Sequence, residues 1–352
     1  MERLDVRDLR NIREASVELH PGLNVFHGRN AQGKTSLLEA VGVVARGRSF
    51  RTEDAPSMIR RGAAGLLAQA RGGEGRASTL EVELRPGQRV FRVDGRDVAP
   101  RDYNGRLEVV VYSTDRLRVV RGTMRDRRQY LDRQAGALWP SYRAELRAFE
   151  RTLAQRNAAL ESRAAGLDVW TEKLVETGAR LRLRRAAYAE KLNAALGGGF
   201  RPSGETYRIA LAPAPAASEA EARRALAAEV EALAARERGA GRTLAGPHRD
   251  TVALELDGRD AAEGASSGQV RSLLLALALA ALRVYRDETG NAAVALLDDL
   301  DSELDAERAV EICAEVTRRG QALVTSAHAG WAESLRPLGR IYNVAEGRVA
   351  CA

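Results

Sequence analysis

The segment from Gly28 to Thr35 contains the residue types that bind nucleotide phosphates. Its sequence, GRNAQGKT, follows the pattern G-x-x-x-x-G-K-[ST], in which backbone N–H groups surround the phosphates and a lysine ammonium contacts the terminal ones. Lys34 is one of only three lysines among 55 basic residues, which indicates a role that a compact ammonium fills and arginine does not. We therefore expect Lys34 to contact the terminal phosphates of ATP and Thr35 to bind Mg²⁺ through its hydroxyl.

The residues on either side predict the elements that hold this loop. LNVFH before it is typical of a buried strand, and TSLLEAVGVVA after it is typical of a helix, whose N-terminus favours anions. An ordinary glycine turn between a strand and a helix is the simpler alternative. The phosphate interpretation predicts nucleotide contacts by Gly28, Arg29, Asn30, Ala31, Gln32, Gly33, Lys34, Thr35 and Ser36.

A pair of aspartates follows an apolar run in AAVALLDDLDSELD, residues 292–305. The run predicts a buried parallel strand, and its aspartates lie at the carboxyl end, where α/β sheets bind ligands. We expect Asp298 to hold Mg²⁺ and Asp299 to act as the base that orients the attacking water. A turn with a helix cap is the alternative, and the GKT motif favours the metal site.

A third segment, GASSGQVRSLLLALALA, places Ser266, Gly268 and Gln269 directly before an apolar helix. This arrangement has the form of the ABC-type signature, usually L-S-G-G-Q, which offers a hydroxyl and N–H groups to a nucleotide phosphate. A plain helix cap would have the same appearance.

The order of the motifs favours the signature. The signature is followed by the aspartate pair, the D-loop-like stretch 302–305 and QALVTSAH, which is the order of these motifs in ABC ATPases. A single histidine is usually structural, but His328 stands where that class has the switch histidine that contacts the γ-phosphate. We expect Lys34, Asp299 and His328 to be the catalytic residues.

Hydrophobic periodicity divides the chain into two regions. Short alternating runs as far as Tyr112 predict strands, whereas apolar residues recur at helical spacing over 141–160 and again after Gly166, with a break at Ala165-Gly166. A strand-like TYRIALAP and a helical pattern over 218–238 follow. We predict an α/β fold in which residues 1–125 and 241–352 form an ABC-type ATPase head, with a mixed or parallel sheet, and residues 126–240 form an inserted helical domain built on a short antiparallel hairpin.

The charge of the chain indicates a polyanionic partner. The net charge is +7 and the pI about 9.8, which favours nucleic acid without proving it. Candidate DNA contacts are Arg125, Arg127 and Arg128, although a solvated face or a nucleotide contact is an equal alternative for each. Cys313 and Cys351 follow no metal-ligand spacing and are typical of reduced thiols in the cytosol.

No part of the sequence predicts a membrane segment. MERLDVRDLR is charged throughout, unlike a signal peptide, and the longest apolar run, Leu273 to Leu282, is shorter than a bilayer requires. We expect a soluble cytoplasmic protein with no membrane contact.

Five segments together closely resemble the RecF family of bacterial DNA-repair proteins, and the resemblance spans nearly the whole chain. They are GRNAQGKTSLLEA, DRLRVVRGTMRDRRQYLD, TLAGPHRD, SSGQVRSLLLALALA and LLDDLDSELD. The resemblance implies an SMC-related ABC-type head, a helical second lobe and ATP-dependent dimerisation on double-stranded DNA. It also implies cooperation with RecR and RecO in loading RecA at single-strand gaps and at junctions of double- and single-stranded DNA.

Two residues depart from the general ABC pattern, and no Q-loop glutamine is identified. Ala31 replaces a glycine, and Asp299 replaces the catalytic glutamate, which predicts slow turnover because its side chain is one methylene shorter. A transporter subunit would lack the helical insert. Another SMC-like or zinc-hook repair ATPase would need far longer arms and, for the hook, Cys-x-x-Cys. The remaining alternative is an ATP-gated DNA clamp in which hydrolysis is incidental.

Overall fold

The computed structural model describes residues 1–72, 79–163, 166–200, 204–302 and 304–352. These residues form two compact units, Met1–Arg116 with Tyr285–Ala352, and Leu117–Val284. The second unit therefore extends beyond the predicted insert 126–240 at both ends. It includes residues 241–284, which the prediction assigned to the head.

The chain passes from the first unit to the second after Arg116 and returns to the first at Tyr285. The strands are, in chain order, β1 (Arg3–Leu9), β2 (Ile12–Glu18), β3 (Leu23–His27), β4 (Leu66–Arg71), β5 (Thr79–Arg85), β6 (Gln88–Val93), β7 (Arg96–Asp97), β8 (Val109–Tyr112), β9 (Tyr207–Ala212), β10 (Thr251–Leu256), β11 (Arg259–Asp260), β12 (Val294–Leu297), β13 (Ala322–Ser326), β14 (Gly339–Ala345) and β15 (Arg348–Cys351). The α-helices are α1 (Lys34–Arg46), α2 (Pro100–Tyr103), α3 (Arg118–Arg121), α4 (Met124–Leu138), α5 (Pro140–Ser162), α6 (Leu167–Gly197), α7 (Glu219–Ala240), α8 (Ala261–Gly264), α9 (Ser267–Thr289), α10 (Ala306–Thr317) and α11 (Ala329–Ser334).

The first unit contains two six-stranded sheets. One is antiparallel, in the order β2-β1-β4-β5-β6-β7, and the other has the order β15-β14-β3-β13-β12-β8. In the second sheet β14, β3, β13, β12 and β8 are parallel, and only β15 runs antiparallel. The carboxyl ends of β3, β12 and β13 therefore meet at one edge of this sheet, which is the edge where parallel sheets bind ligands.

Helix α1 lies between the two sheets and is buried on nearly every side. Leu37, Leu38, Val41 and Val44 are fully buried in a core that also contains residues of both sheets. The helix packs against β1, β4, β5 and β13. This packing on both faces fixes the position of the loop that precedes Lys34.

The second unit consists mainly of helices around a three-stranded antiparallel sheet, β11-β10-β9. Helices α5 and α6, of 23 and 31 residues, pack together as the predicted hairpin, and α6 also packs on α7. Helix α6 begins after Gly166, whose φ of 92° is left-handed, while Ala165 of the predicted break lies outside the described residues.

Helix α9 is long enough to cross a membrane, and its most apolar 18-residue window has a mean hydropathy of 1.3. However, 67% of its most apolar window is buried inside the protein, as is typical of a core helix. The prediction of a buried helix here is confirmed, and the helix is longer than the apolar run that predicted it.

Candidate nucleotide-binding site

The phosphate loop connects the end of β3 to the start of α1, as the sequence predicted. Gly33 has a φ of 112°, and a Cβ at Gly28 would lie 2.2 Å from the carbonyl oxygen of Val344, so both positions need glycine. Ala31 also has a positive φ, 64°. A left-handed φ favours glycine, and this chain has alanine at the position.

The ammonium of Lys34 lies within the loop and faces neutral acceptors. It donates to the carbonyl oxygens of Gly28 at 2.8 Å and Arg29 at 3.1 Å, and is 3.5 Å from Oδ1 of Asn30. The residue is 4% exposed, and within the described parts of the chain no carboxylate pairs with it. A buried, unpaired cation at a helix N-terminus favours an anionic ligand.

Thr35 and Asp298 meet although 263 residues separate them. The Thr35 hydroxyl donates to Oδ1 of Asp298 at 2.9 Å, and Thr325 donates to the same oxygen at 2.8 Å. Ser113, which follows β8, donates to Oδ2 at 3.3 Å. The carboxylate is thus held by three hydroxyls contributed by α1, by the end of β13 and by the turn after β8.

Burial and the neighbouring charge of Asp299 raise the pKa of Asp298 to about 6, while hydrogen bonds from Thr325, Thr35 and Ser113 act in the opposite direction. No basic side chain within the described ranges forms an ion pair with this carboxylate. A divalent cation would therefore stabilise its ionised form, because it would supply the missing positive charge.

Asp299 and His328 lie in the turns that follow β12 and β13. Asp299 has a left-handed φ of 52°, and its N–H donates to the Thr325 hydroxyl at 2.8 Å. The His328 side chain is 74% exposed, and its Nδ1 lies 2.8 Å from Oδ2 of Asp301. Both residues are therefore at the edge where Lys34 and Asp298 lie.

Sequence reasoning missed four side chains that support the site, namely Asn11, Ser113, Asp301 and Thr325. Asn11 donates to the carbonyl of Ala31 at 3.1 Å and accepts from the Ser36 hydroxyl at 3.1 Å, so it joins the β1–β2 turn to the phosphate loop. The position of Ser113 and Thr325 at strand ends was the only sequence signal for a role in the site. It was too weak to distinguish them from other residues.

Gln32 connects the loop to the β14–β15 turn. Its Oε1 accepts from the Glu346 N–H at 2.6 Å, and its carbonyl accepts from the Gly347 N–H at 2.9 Å. Arg29, Asn30 and Ala31 are exposed on the loop. The role of Gln32 in this structure is thus to hold the loop in place.

The signature segment belongs to the second unit. Ser266 accepts from the Gln269 N–H at 3.2 Å, and Gln269 accepts from the Ser266 N–H at 2.9 Å, a reciprocal cap at the start of α9. Ser266 and Gly268 are exposed, and a Cβ at Gly268 would meet only the Ser266 hydroxyl, at 4.0 Å. The hydroxyl and the helix N-terminus are therefore accessible from solvent. Glu303 of the D-loop-like stretch lies outside the described residues.

The three arginines proposed to bind DNA have different environments. Arg127 is buried, and its guanidinium pairs with Asp260 at 2.7 Å and donates to backbone carbonyls, so a DNA contact by Arg127 is wrong. Arg128 is partly buried and donates to the carbonyl of Asp250 at 2.7 Å. Arg125 is exposed and stays a prediction. The difference arises because α4 turns successive arginines toward different faces.

The residues present fit a magnesium nucleotide. The loop needs glycine at Gly28, where the main chain of Val344 comes close, and at Gly33, where φ is positive. Among the described residues its lysine has no carboxylate partner, and its threonine lies beside a carboxylate that has no basic partner. The described residues contain no cluster of three metal-ligating side chains. Mg²⁺ sites of this kind do not require one, because water and phosphate oxygens supply most of the ligands.

A parallel sheet with a phosphate loop after one strand and a carboxylate after another defines a P-loop ATPase. The family model described as RecF/RecN/SMC N terminal domain matches residues 1–350. A solved SMC head domain from Pyrococcus furiosus, bound to the C-terminal domain of ScpA, aligns with a TM-score of 0.57 at 14% identity, covering 100% of this chain and 95% of that one, and supports the fold alone.

The chain belongs to the RecF family. The DNA replication and repair protein RecF of Symbiobacterium thermophilum is 36% identical over 342 residues, which cover 92% of this chain and 90% of that protein. RecF of Acidothermus cellulolyticus is 36% identical over 99% of this chain and 98% of its own length. A solved structure of the recombination mediator protein RecF with ATP, in the RecFOR pathway, aligns with a TM-score of 0.89 at 25% identity, covering 100% of this chain and 98% of that one. The predicted family and fold class are confirmed, and the family is one of ATP-binding ATPases of DNA replication and repair.

Proposed function

We propose that this chain is an ATP-dependent DNA-binding protein of recombinational repair that dimerises on DNA. ATP and Mg²⁺ lie between the phosphate loop of one molecule and the signature of another, and slow hydrolysis releases the dimer. In the cytoplasm the protein helps RecR and RecO to load RecA at single-strand gaps and at junctions of double- and single-stranded DNA. The observation that carries the nucleotide part is the buried Lys34 ammonium, which has no carboxylate partner among the residues that the structure describes and lies near the Thr35–Asp298 contact.

Each residue of the site has a role that its contacts support. Lys34 binds the terminal phosphates, and Thr35 and Asp298 would hold the metal ion, which would supply positive charge to the phosphate oxygens. Asp299 orients the attacking water and accepts its proton. His328, whose side chain is exposed, contacts the γ-phosphate.

The exposed signature supports assembly between two molecules. Ser266 and Gly268 are open to solvent and are capped only by their own helix start. The γ-phosphate would gain a hydroxyl and N–H donors from the second molecule that ADP does not reach. ATP therefore shifts monomer toward dimer, and hydrolysis reverses the shift.

Asp299, the residue after Asp298, accounts for slow turnover that DNA stimulates. Asp299 is one methylene shorter than glutamate, and its main chain adopts a left-handed conformation. Both features limit how well its carboxylate aligns with water, and DNA would improve the alignment by stabilising the dimer.

The mass of the protein in solution tests this function. With ATP, Mg²⁺ and duplex DNA, we expect a complex containing two protein molecules, and with ADP in place of ATP we expect the monomer. A gapped or junction-containing DNA should give the larger fraction of dimer. A monomer under all conditions would refute the ATP-dependent dimer.

The alternative is an ATP-gated DNA clamp in which hydrolysis is incidental, and it is favoured by the same short carboxylate. An Asp299→Asn variant separates the two functions because it binds ATP and dimerises but cannot activate water. Loss of RecA loading by this variant would support the hydrolytic cycle, whereas unchanged loading would support the clamp.

A further inference from the structure

The carboxylate of Asp301, one of the side chains that support the site, accepts several hydrogen bonds. The residue lies in the turn after β12, three positions beyond Asp298, and its side chain is 4% exposed. Oδ2 accepts from the Ser326 hydroxyl and the Ala327 N–H, both at 2.7 Å, and from the His328 N–H at 3.2 Å. The carboxylate therefore holds the main chain of the turn that carries the histidine.

The same oxygen also contacts the imidazole ring, with Nδ1 of His328 at 2.8 Å. Burial would raise the pKa of Asp301, but the hydrogen bonds from Ser326, His328 and Ala327 keep it below its ordinary value. An ionised carboxylate only accepts hydrogen bonds, so Nδ1 must carry the proton. The exposed Nε2 is then the ring atom that a ligand can reach.

The last two residues of β13 connect this pair to the metal site. Thr325 donates to Asp298, and the next residue, Ser326, donates to Asp301. One strand end thus braces two aspartates of the turn after β12. The position of the histidine ring is consequently linked to that of the metal-binding carboxylate.

We propose that Asp301 is the positioning residue of His328, fixing its ring in the Nδ1–H tautomer with Nε2 directed to the bound nucleotide. This inference rests on the proposed function, because the ring acts on ATP. Orientation of a functional imidazole by a carboxylate behind it is a general device, and removing such a partner commonly lowers activity about 10- to 100-fold.

Nitrogen NMR of the nucleotide-free protein tests the contact directly. The chain has four histidines, so His328→Gln assigns the ring resonances by difference. In alkaline buffer, we expect the wild-type Nδ1 to show the shift of a protonated nitrogen and Nε2 that of an unprotonated one. Asp301→Leu should reverse or mix the two shifts, and Asp301→Asn, which retains an acceptor oxygen, should give an intermediate result. Unchanged resonances of His20, His27 and His248 would show that each variant is folded.

ATP hydrolysis tests the role. We expect Asp301→Leu to lower kcat roughly 10- to 100-fold with KM for ATP within about twofold, and Asp301→Asn to recover part of the loss. Asp287→Asn, an exposed aspartate of α9, serves as the matched control and should leave both constants unchanged.

The outcomes are distinguishable. A wild-type ring in the Nε2–H form, or an Asp301→Leu variant with an unchanged tautomer, would overturn the proposal, and so would a changed tautomer with unchanged kcat. If Asp301→Leu does not fold, the tautomer of the wild-type ring and the tautomer and kcat of Asp301→Asn test the proposal instead. A wild-type protein that hydrolyses no ATP would instead defeat the proposed function, and with it this role.

Discussion

The nucleotide site and the helical unit both bury charged side chains, but these charges face different partners. In the second unit Arg156 pairs with Glu237 at 2.7 Å and Arg185 pairs with Asp132 at 2.7 Å, with all four side chains buried or nearly so. In the nucleotide site Lys34 faces carbonyl oxygens and Asp298 faces hydroxyls. The charges of the first group are neutralised within the chain, whereas those of the second group have no partner of opposite charge in the part of the chain that the structure describes.

This difference separates structural charges from functional ones. A buried charge that faces only neutral dipoles retains part of its desolvation penalty, so a ligand of opposite charge binds favourably. The first unit contains both kinds, because Glu39 on α1 is paired with Arg10 at 2.8 Å while Lys34 on the same helix has no carboxylate partner in the described residues. We therefore expect the lysine to bind a phosphate and the aspartate to bind a metal ion.

Replacing Lys34, which has no carboxylate partner in the described residues, should have the largest effect of the substitutions that test this difference. Lys34→Met removes the charge facing the terminal phosphates, and we expect kcat/KM for ATP to fall about 10²- to 10³-fold or more. The free energy of unfolding, measured with urea, should not fall, because no ion pair is broken. Lys173→Met, the same substitution on an exposed lysine, is the control. Normal turnover in Lys34→Met would end the phosphate-loop assignment.

The signature should show the next largest effect, because it is exposed rather than buried. Ser266→Arg should leave ATP binding to the monomer nearly intact but abolish ATP-dependent dimers and hydrolysis, as measured by solution mass and phosphate release. Glu263→Arg adds the same side chain at an exposed position nearby and should dimerise normally.

Mixing Ser266→Arg with Lys34→Met should restore at most one composite site per heterodimer. Dimers of Ser266→Arg at wild-type concentrations would reduce residues 266–269 to an ordinary helix cap.

A paired arginine should affect stability and not ligand binding. Arg127→Ala leaves Asp260 without its partner, and we expect the free energy of unfolding to fall by about 3–5 kcal/mol. Arg125→Ala, two residues away and exposed, should change it by less than about 0.5 kcal/mol. If Arg125 contacts a DNA phosphate, its removal should reduce the slope of log affinity against log salt by about 1. Equal losses of stability in the two variants would contradict the distinction.

The smallest effect concerns pH. The pKa of Asp298 is about 6 in the folded protein and 3.8 ordinarily, so the folded state holds this proton more tightly than the unfolded state. The contribution of Asp298 to the free energy of unfolding is fully present below about pH 4. It is lost as the pH rises through 6, and the loss is up to about 3 kcal/mol. Asp298→Asn should therefore be more stable than wild type at pH 7.5, and the difference should vanish near pH 4 in urea titrations. Millimolar Mg²⁺ with ATP should stabilise only the wild type.

Local patterns predicted much of the fold. The phosphate loop between β3 and α1, the helices of the hairpin and the aspartates after β12 were each recognisable from a few neighbouring residues. Hydrophobic periodicity and turn chemistry act over such short distances. The unit boundaries near 117 and 284 were not recognisable, because α9 contributes residues to both units and its pattern is continuous.

The sequence by itself determined which chemistry is possible, since the order of GKT, the signature, the aspartate pair and the histidine identifies an ATPase head. Only the tertiary structure decided which charges are available to a ligand. Arg125 and Arg127 stand in one basic run, yet Arg127 meets Asp260, 133 residues later, and becomes part of the core. Asp298 and Asp301 stand in one acidic run, yet β13 directs the first toward Thr35 and the second toward His328. Burial and pairing depend on contacts between distant parts of the chain, so they are set by packing and not by the local pattern.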